Sequence, residues 1–352
     1  SSSSIPISDD IDPAQTDDDY PSKQFGAVLY TGNGGSPDNA VSGLGFRPDL
    51  VWGKARSASQ LPILQDTSRG QELLFSSSSN AAQTSNGPFM ASYDSDGFTF
   101  DGSGSNPNDN GVSYVAWCWK ANGGVTSTNS DGSTDSTVQA NTKAGFSIVQ
   151  TPNYSGTPTF GHGLTKALDF IIVKLRASAS QWIVYHSGLS SAAKILYLNQ
   201  SAAEASNAAF NSTAPTNEVF SLGGGFAGSG TGIAYCWHSV EGMQRFGKYE
   251  GNGNADGPFI YLGFRPRMVC IKSIDSSQAW IVCDTARETF NPLGEKVLQW
   301  NTADAEYDPS GFNWDVTSNG FKIRSSDTNI NAAQTYIYMA WADVPFKYNN
   351  TF

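Results

Sequence analysis

Three short apolar segments of this chain end on a lysine, and three aromatic segments close on a tryptophan. The lysines are Lys54 (Leu50-Val51-Trp52-Gly53-Lys54), Lys174 (Phe170-Ile171-Ile172-Val173-Lys174) and Lys272 (Met268-Val269-Cys270-Ile271-Lys272). They stand 120 and 98 residues apart, while Trp119, Trp237 and Trp341 stand 118 and 104 apart. Two landmarks at nearly matched spacing mark an internal repeat of about 100 residues. The chain must therefore fold as three related units. The repeat also bears on function. An asymmetric active site needs each of its residues once, so a residue present three times is first a candidate for holding up the unit.

Further positions align. Tyr30-Thr31-Gly32-Asn33-Gly34 returns as Tyr249-Glu250-Gly251-Asn252-Gly253, and the middle unit keeps only Tyr154-Ser155-Gly156. Gly45-Phe46-Arg47-Pro48 returns as Gly263-Phe264-Arg265-Pro266, with Gly163-Leu164 between them. Asp66-Thr67-Ser68-Arg69 matches Asp284-Thr285-Ala286-Arg287, whereas the middle unit reads His186-Ser187-Gly188-Leu189. The first and third units are closest and the second has drifted.

The fold class follows from what surrounds these landmarks. The 36 glycines and the many Ser, Asn and Thr supply turn positions, and long Glu/Lys/Leu/Ala periodic stretches are absent. Trp182-Ile183-Val184-Tyr185-His186 and Trp280-Ile281-Val282-Cys283-Asp284 are β-branched and aromatic runs preceded by turn signals. Phe170–Val173 is continuously apolar, as for a strand buried on both faces. The expectation is all-β: three related antiparallel β units of about 100 residues, each sandwich-like or barrel-like, with five or six strands. Two arrangements remain open, three domains in a row or three units around a pseudo-threefold axis. Residues 1–24 read as an acidic arm or linker, carrying Asp9, Asp10, Asp12, Asp17, Asp18 and Asp19. The first unit spans 25–122, a Ser/Thr/Gly-rich linker or long loop 123–143, the second unit 144–242, the third 243–347, and a polar tail 348–352. Ser201–Ala205 and Ala303–Glu306 each read as a short helical turn.

Charge and composition exclude several function classes. With a net charge of −11 and a pI of about 4.6, the chain repels phosphate, so nucleic acid and anionic membrane surfaces are not expected partners. No apolar run approaches the ~20 residues of a membrane span, so membrane insertion is not expected. The start at Ser1 lacks a Met, a basic segment and an apolar segment, which suggests processing or a longer parent polypeptide. Cys118 and Cys236 hold one strand position in two units and are expected to stay apart. Cys270 and Cys283 lie on consecutive strands, where buried free thiols and a bridge are both open.

The residues that could carry chemistry have structural readings beside them. Lys54, Lys174 and Lys272 could form three equivalent anion sites; alternatively each stem packs along a sheet while its ammonium pairs with a nearby Asp. Asp66 with Arg69, and Asp284 with Arg287, read as turn carboxylates with local ion pairs. His162, His186 and His238 lack the spacing of a metal site or a catalytic triad. No carboxylate pair is marked for glycoside hydrolysis. No catalytic, cofactor-binding or metal-binding residue is therefore assigned, and the chain is not expected to be an enzyme. Calcium is the one cofactor left open. Asn106, Asn108 and Asn110, and again Asn252, Asn254 and Asp256, imitate half of an EF-hand loop but end on Trp117 and Gly263 at its twelfth position. Asn129-Ser130-Asp131 offers hard oxygens without a spacing. Trp117 with Trp119, and Tyr336 with Tyr338, share strand faces. Packed, they are core; exposed, they would stack on sugars.

The repeated set Tyr-x-Gly-Asn-Gly, Gly-Phe-x-Pro-x-x-Val-x-x-Lys, Trp-x-Val-x-Asp-x-x-Arg and a closing Tyr-x-Ala-Trp strand resembles a repeat domain found in structural proteins of marine bacteriophages, including cyanophages. The likeness covers about residues 25–347 and is closest at Asn252–Phe259, Gly263–Pro266 and Val115–Gly124. That domain has no established catalytic residues to carry over. The resemblance implies a viral structural protein at the virion surface: a tail fibre or receptor-binding adhesin for host attachment, a head decoration protein, or third a glycan-degrading tail enzyme. It implies other virion proteins and a host cell-surface receptor, including a glycan, as partners, and a homo-oligomer in several copies.

Overall fold

The lysine strands are buried along their length, with only Arg267 of the third half-buried, because each lies at the middle of its unit. In the computed structural model they are Leu50–Ala55, Phe170–Leu175 and Pro266–Ser273. The closing strands Ser113–Trp119, Gly232–Trp237 and Thr335–Ala342 run antiparallel beside them. On the other side of each closing strand lies the unit's opening strand, Phe25–Thr31, Phe146–Thr151 or Gln244–Glu250. The structure describes residues 20–342 apart from 36, 71–74, 85–89, 102–105 and 225–229. The tail 348–352, and all of the acidic arm before Tyr20, lie outside the described residues.

The sheets are all antiparallel, and no closed barrel forms among the described residues. Each unit carries eight described strands rather than five or six. The additions are a second, smaller sheet and a two-residue edge strand, both too short to stand out in a hydropathy pattern. The small sheets are Asn39–Ser42/Gly97–Phe100/Met90–Asp94, Thr159–Gly161/Val219–Ser221, and Phe259–Tyr261/Gly320–Ile323/Trp314–Thr317.

Side-chain alternation along the closing strands sends successive residues to opposite faces. One face builds a core within the unit, between its large and small sheets. Ala116 and Cys118, Ala234 and Cys236, and Tyr336 and Tyr338 contribute to three such cores. The other face is shared. Trp117, Trp119, Tyr235, Trp237, Met339 and Trp341 belong to one central cluster drawn from all three units. At its middle Trp119, Trp237 and Trp341 touch pairwise, with centroids 5.9, 5.3 and 6.2 Å apart and rings crossing edge to face. Three equivalent residues that all touch one another require a cyclic arrangement. The three units therefore surround a common core rather than following one another in a row.

Two readings of the sequence are corrected, and one left open is settled. Residues 123–143 are not a structureless linker: Ser127–Asn129 and Ser136–Asn141 form a hairpin that extends the second large sheet to eight strands. Its polar Gln139 misleads the eye. That side chain is fully buried, donating to Thr67 and Ser68 and accepting from the backbone of Asn122 and Gly124. Residues 201–205 and 303–306 are not helical: the Glu204 and Glu306 N–H groups donate to a neighbouring unit, at Ile274 and Arg56. Cys270 and Cys283 are free, as are Cys118 and Cys236. In the ladder Cys270 faces Val282 while Cys283 faces Val269, so the two sulfurs emerge on opposite faces of the sheet. Cys270 lies in the central cluster and Cys283 in the third unit's own core.

Candidate functional site

The repeated lysines are not surface anion sites. All three are at most 1% exposed, and each ammonium is held by carbonyl oxygens rather than by a carboxylate. Lys54 donates to Thr302 and Asp304 of the third unit at 2.9 and 2.7 Å. Lys174 donates to Asn80 of the first unit and to Ser180, at 3.2 and 2.9 Å. Lys272 donates to Ser273 at 2.5 Å. Burial lowers each ammonium to about 8, with Asp304 drawing Lys54 back upward. Two residues beyond each lysine, a backbone carbonyl accepts from a neighbouring unit. Glu306 N–H donates to Arg56, Gln83 to Arg176 and Glu204 to Ile274, at 2.8 to 2.9 Å. The first unit thus clasps the second, the second the third, and the third the first.

The Asp-x-x-Arg turns close the same ring. Asp66 binds the Arg69 Nε at 2.5 Å, and Asp284 the Arg287 Nε at 2.7 Å, all four side chains fully buried. Burial, the largest single influence, opposes the charge on both arginines, but their aspartates, together with Tyr235 and Tyr93 for Arg69, and Cys283 and Glu306 for Arg287, raise them above the usual value. Each aspartate also accepts from the next unit's closing strand. Tyr235 Oη donates to Asp66 at 2.7 Å and Trp117 Nε1 donates to Asp284 at 3.0 Å. The equivalent partner of the middle unit is Met339, which has nothing to donate. His186 stands there instead of an aspartate. Its Nδ1 accepts from Gly188 N–H, which leaves the proton on Nε2, facing the Tyr338 carbonyl at 3.3 Å. The drift of the middle unit is therefore matched across its interface.

Most of the other polar candidates are likewise engaged. Among the described residues no cluster of His, Cys, Asp and Glu could hold a metal ion. Asn108 and Asn331, both fully buried, bridge the ends of their units. Asn33 and Asn252 donate backbone N–H to them and accept from their amides at 3.0 Å. A side chain at Gly32 or Gly251 would come within 2.1 Å of a backbone carbonyl, which explains the repeated glycine before the Asn. Asn254 caps Asp256 N–H, and Asp256 pairs with Lys322 at 2.8 Å. Asn129 and Asp131 bond each other. Trp117, Trp119, Tyr336 and Tyr338 are buried.

One face sets the units apart. Phe259, Tyr261 and Phe290 are 47%, 57% and 84% exposed, and all belong to the third unit. Phe259 and Tyr261 lie on the edge strand of its small sheet, flanking the inward Ile260. Ile260 pairs with Phe321 as Val41 pairs with Phe98 and Phe160 with Phe220. Where the third unit has Phe259 and Tyr261, the first has Ala40 and Ser42 and the second Thr159 and Gly161. The fold does not require these rings. Comparing the repeats for what they do not share could have found them; searching for shared landmarks passed over them.

A family model described as a domain of unknown function (DUF7483) matches residues 20–345. No curated protein and no solved structure matches the chain.

Proposed function

The chain belongs to the DUF7483 family, a domain of unknown function, and we propose that it is a non-enzymatic surface protein of a bacteriophage virion, a tail fibre or receptor-binding adhesin. One observation carries this reading beyond the resemblance. The repeated lysines, aspartates and arginines are buried in bonds within and between units, while exposed side chains differ from unit to unit. That is the division expected of a scaffold that holds variable outer surface in place. Its partners would be other virion proteins and a receptor on the host cell, and it would act as a homo-oligomer. The test is cryo-electron microscopy of virions labelled with antibody against the chain. Label at the tail is the expected result. Label spread over the head would replace the adhesin with a decoration protein, and unlabelled virions would remove the virion reading altogether.

A further inference from the structure

We propose that the outer face of the third unit's small sheet binds a glycan, with pyranose rings stacked on Phe259 and Tyr261. This deepens the adhesin reading and rests on it for biological context, but the binding chemistry stands on the face itself. The ladder sets two rows side by side on the outward face. One is Phe259–Lys322–Asp315 and the other Tyr261–Gly320–Thr317.

Each row thus places an aromatic ring at the edge and hydrogen-bonding groups further in. Lys322 is paired with Asp256, Asp315 receives Arg324 Nε at 2.7 Å, and Thr317 donates to Asn319. Gly320, in the Tyr261 row, has no side chain: a Cβ there would lie 2.1 Å from the Ile260 carbonyl oxygen and 3.2 Å from the Phe259 ring. The Tyr261 ring passes beside Gly263, where a Cβ would lie 3.5 Å from its hydroxyl, and the Arg245 guanidinium stands 5.8 Å from its centroid. The Tyr261 ring therefore has neighbours before any ligand arrives, which lowers the ordering cost of binding there.

A sugar ring matches this pattern. One of its faces carries C–H groups that bury against an aromatic ring, while its rim carries hydroxyls that need donors and acceptors. A docked protein matches it less well. Specific interfaces bury about 800 Å² per partner around a charge-depleted centre. Here Lys322 occupies the middle strand and Asp315 the far edge strand, each carrying a charge into the face. Phe290 adds to the sugar reading at that far edge. Its loop is pinned there by Asn291, which exchanges two hydrogen bonds with the Val316 backbone, at 2.7 and 2.9 Å. An extended oligosaccharide could run across the face from Tyr261 toward Phe290.

The test is binding of the purified full chain to immobilised hexose, hexosamine and uronic-acid oligosaccharides, alongside Phe259→Ala, Tyr261→Ala and Ala40→Tyr. The two alanine variants alter exposed side chains, so they should unfold with the parent. We expect binding to at least one class, weakened tenfold or more by either alanine variant and unchanged by Ala40→Tyr in the first unit. Absence of binding to every class, or binding that survives both alanine variants, overturns the proposal. Adsorption of the labelled chain to host cells separates this from the adhesin reading. Cell binding that both alanine variants retain would sink the glycan face and leave the adhesin. Oligosaccharide binding by a chain that coats no cells would do the reverse. A protein that competes for the face while no oligosaccharide binds would also overturn it.

Discussion

Asp66 shows how far one buried carboxylate can be committed. It answers the Arg69 guanidinium, the Arg69 backbone and the Tyr235 hydroxyl, with no water-facing surface of its own. Removing one partner of a buried pair leaves the other charge without compensation, which costs more than the pair contributes. Asp66→Ala should therefore lose about 3–5 kcal/mol in denaturant unfolding. Asp66→Ala with Arg69→Leu, which imports the middle unit's leucine, should recover part of that loss. A double variant no better than the single would show that the charge left behind is not the cause. The histidines make a pH prediction of the same local kind. Burial holds His162 and His186 neutral down to about 4, whereas the unfolded side chains protonate near 6.5. Between those values the unfolded chain binds more protons, so stability falls as pH drops from 6.5 toward 4. The loss reaches about 3 kcal/mol per histidine. His186→Gln keeps a donor toward Tyr338 and should remove that residue's share of the slope, read from unfolding midpoints across the window.

The strands that end on lysine titrate at the opposite end of the scale. Each folded ammonium lies near 8 against 10.5 unfolded, so above about pH 8 unfolding takes up protons and stability rises with pH. The rise should be about 1 kcal/mol per lysine between pH 8 and 9. The buried thiols, pushed up by burial, oppose this rise from the start, because unfolded cysteines ionise through their ordinary value of 9.0. Lys54→Met should lower the change between pH 8 and 9 by that lysine's share of about 1 kcal/mol, whatever it does to stability at neutral pH. The clasp that Lys54 holds depends also on Glu306, which burial would raise but which Arg56 and Arg287 hold below its usual value. Glu306→Gln should destabilise by about 1–3 kcal/mol in denaturant melts, because Arg287 stays buried there. These elements also mark where sequence reading succeeds. A strand buried on both faces declares itself by continuous hydrophobicity, so the lysine and closing strands were visible at once. The clasps were misread as helical turns because their hydrogen-bond partners lie about 70 to 250 residues away, at Ile274 for Glu204 and Arg56 for Glu306. The hairpin at 123–143 was missed because its buried strand carries Gln139, a polar residue whose amide donors are satisfied by Thr67 and Ser68, about 70 residues away. The repeat explained which polar residues recur. It drew attention away from Phe259 and Tyr261, which occur once.

Sharing one core among three units has a thermodynamic consequence. A unit cut from its neighbours would keep the core between its own two sheets but expose its share of the central cluster, including Trp52 and Trp117 in the first unit. It would also lose the clasps, leaving the buried Lys54 ammonium without Thr302 and Asp304. Exposed apolar surface of this kind weighs about 25 cal/mol per Å², and each tryptophan brings one of the largest areas in the chain. Residues 20–122 expressed alone should therefore fail to give a cooperative thermal transition, while the full chain should unfold in one step by fluorescence and circular dichroism alike. The three central tryptophans sharpen the test. Trp119→Ala opens a cavity bordered by all three units and should cost about 3–5 kcal/mol. If the units are bound into one cooperative body, that change in the first unit lowers a single midpoint and the two probes stay coincident. Two or three separated transitions, with only one of them shifted, would mean that the units hold together by their own cores and merely touch at the tryptophans.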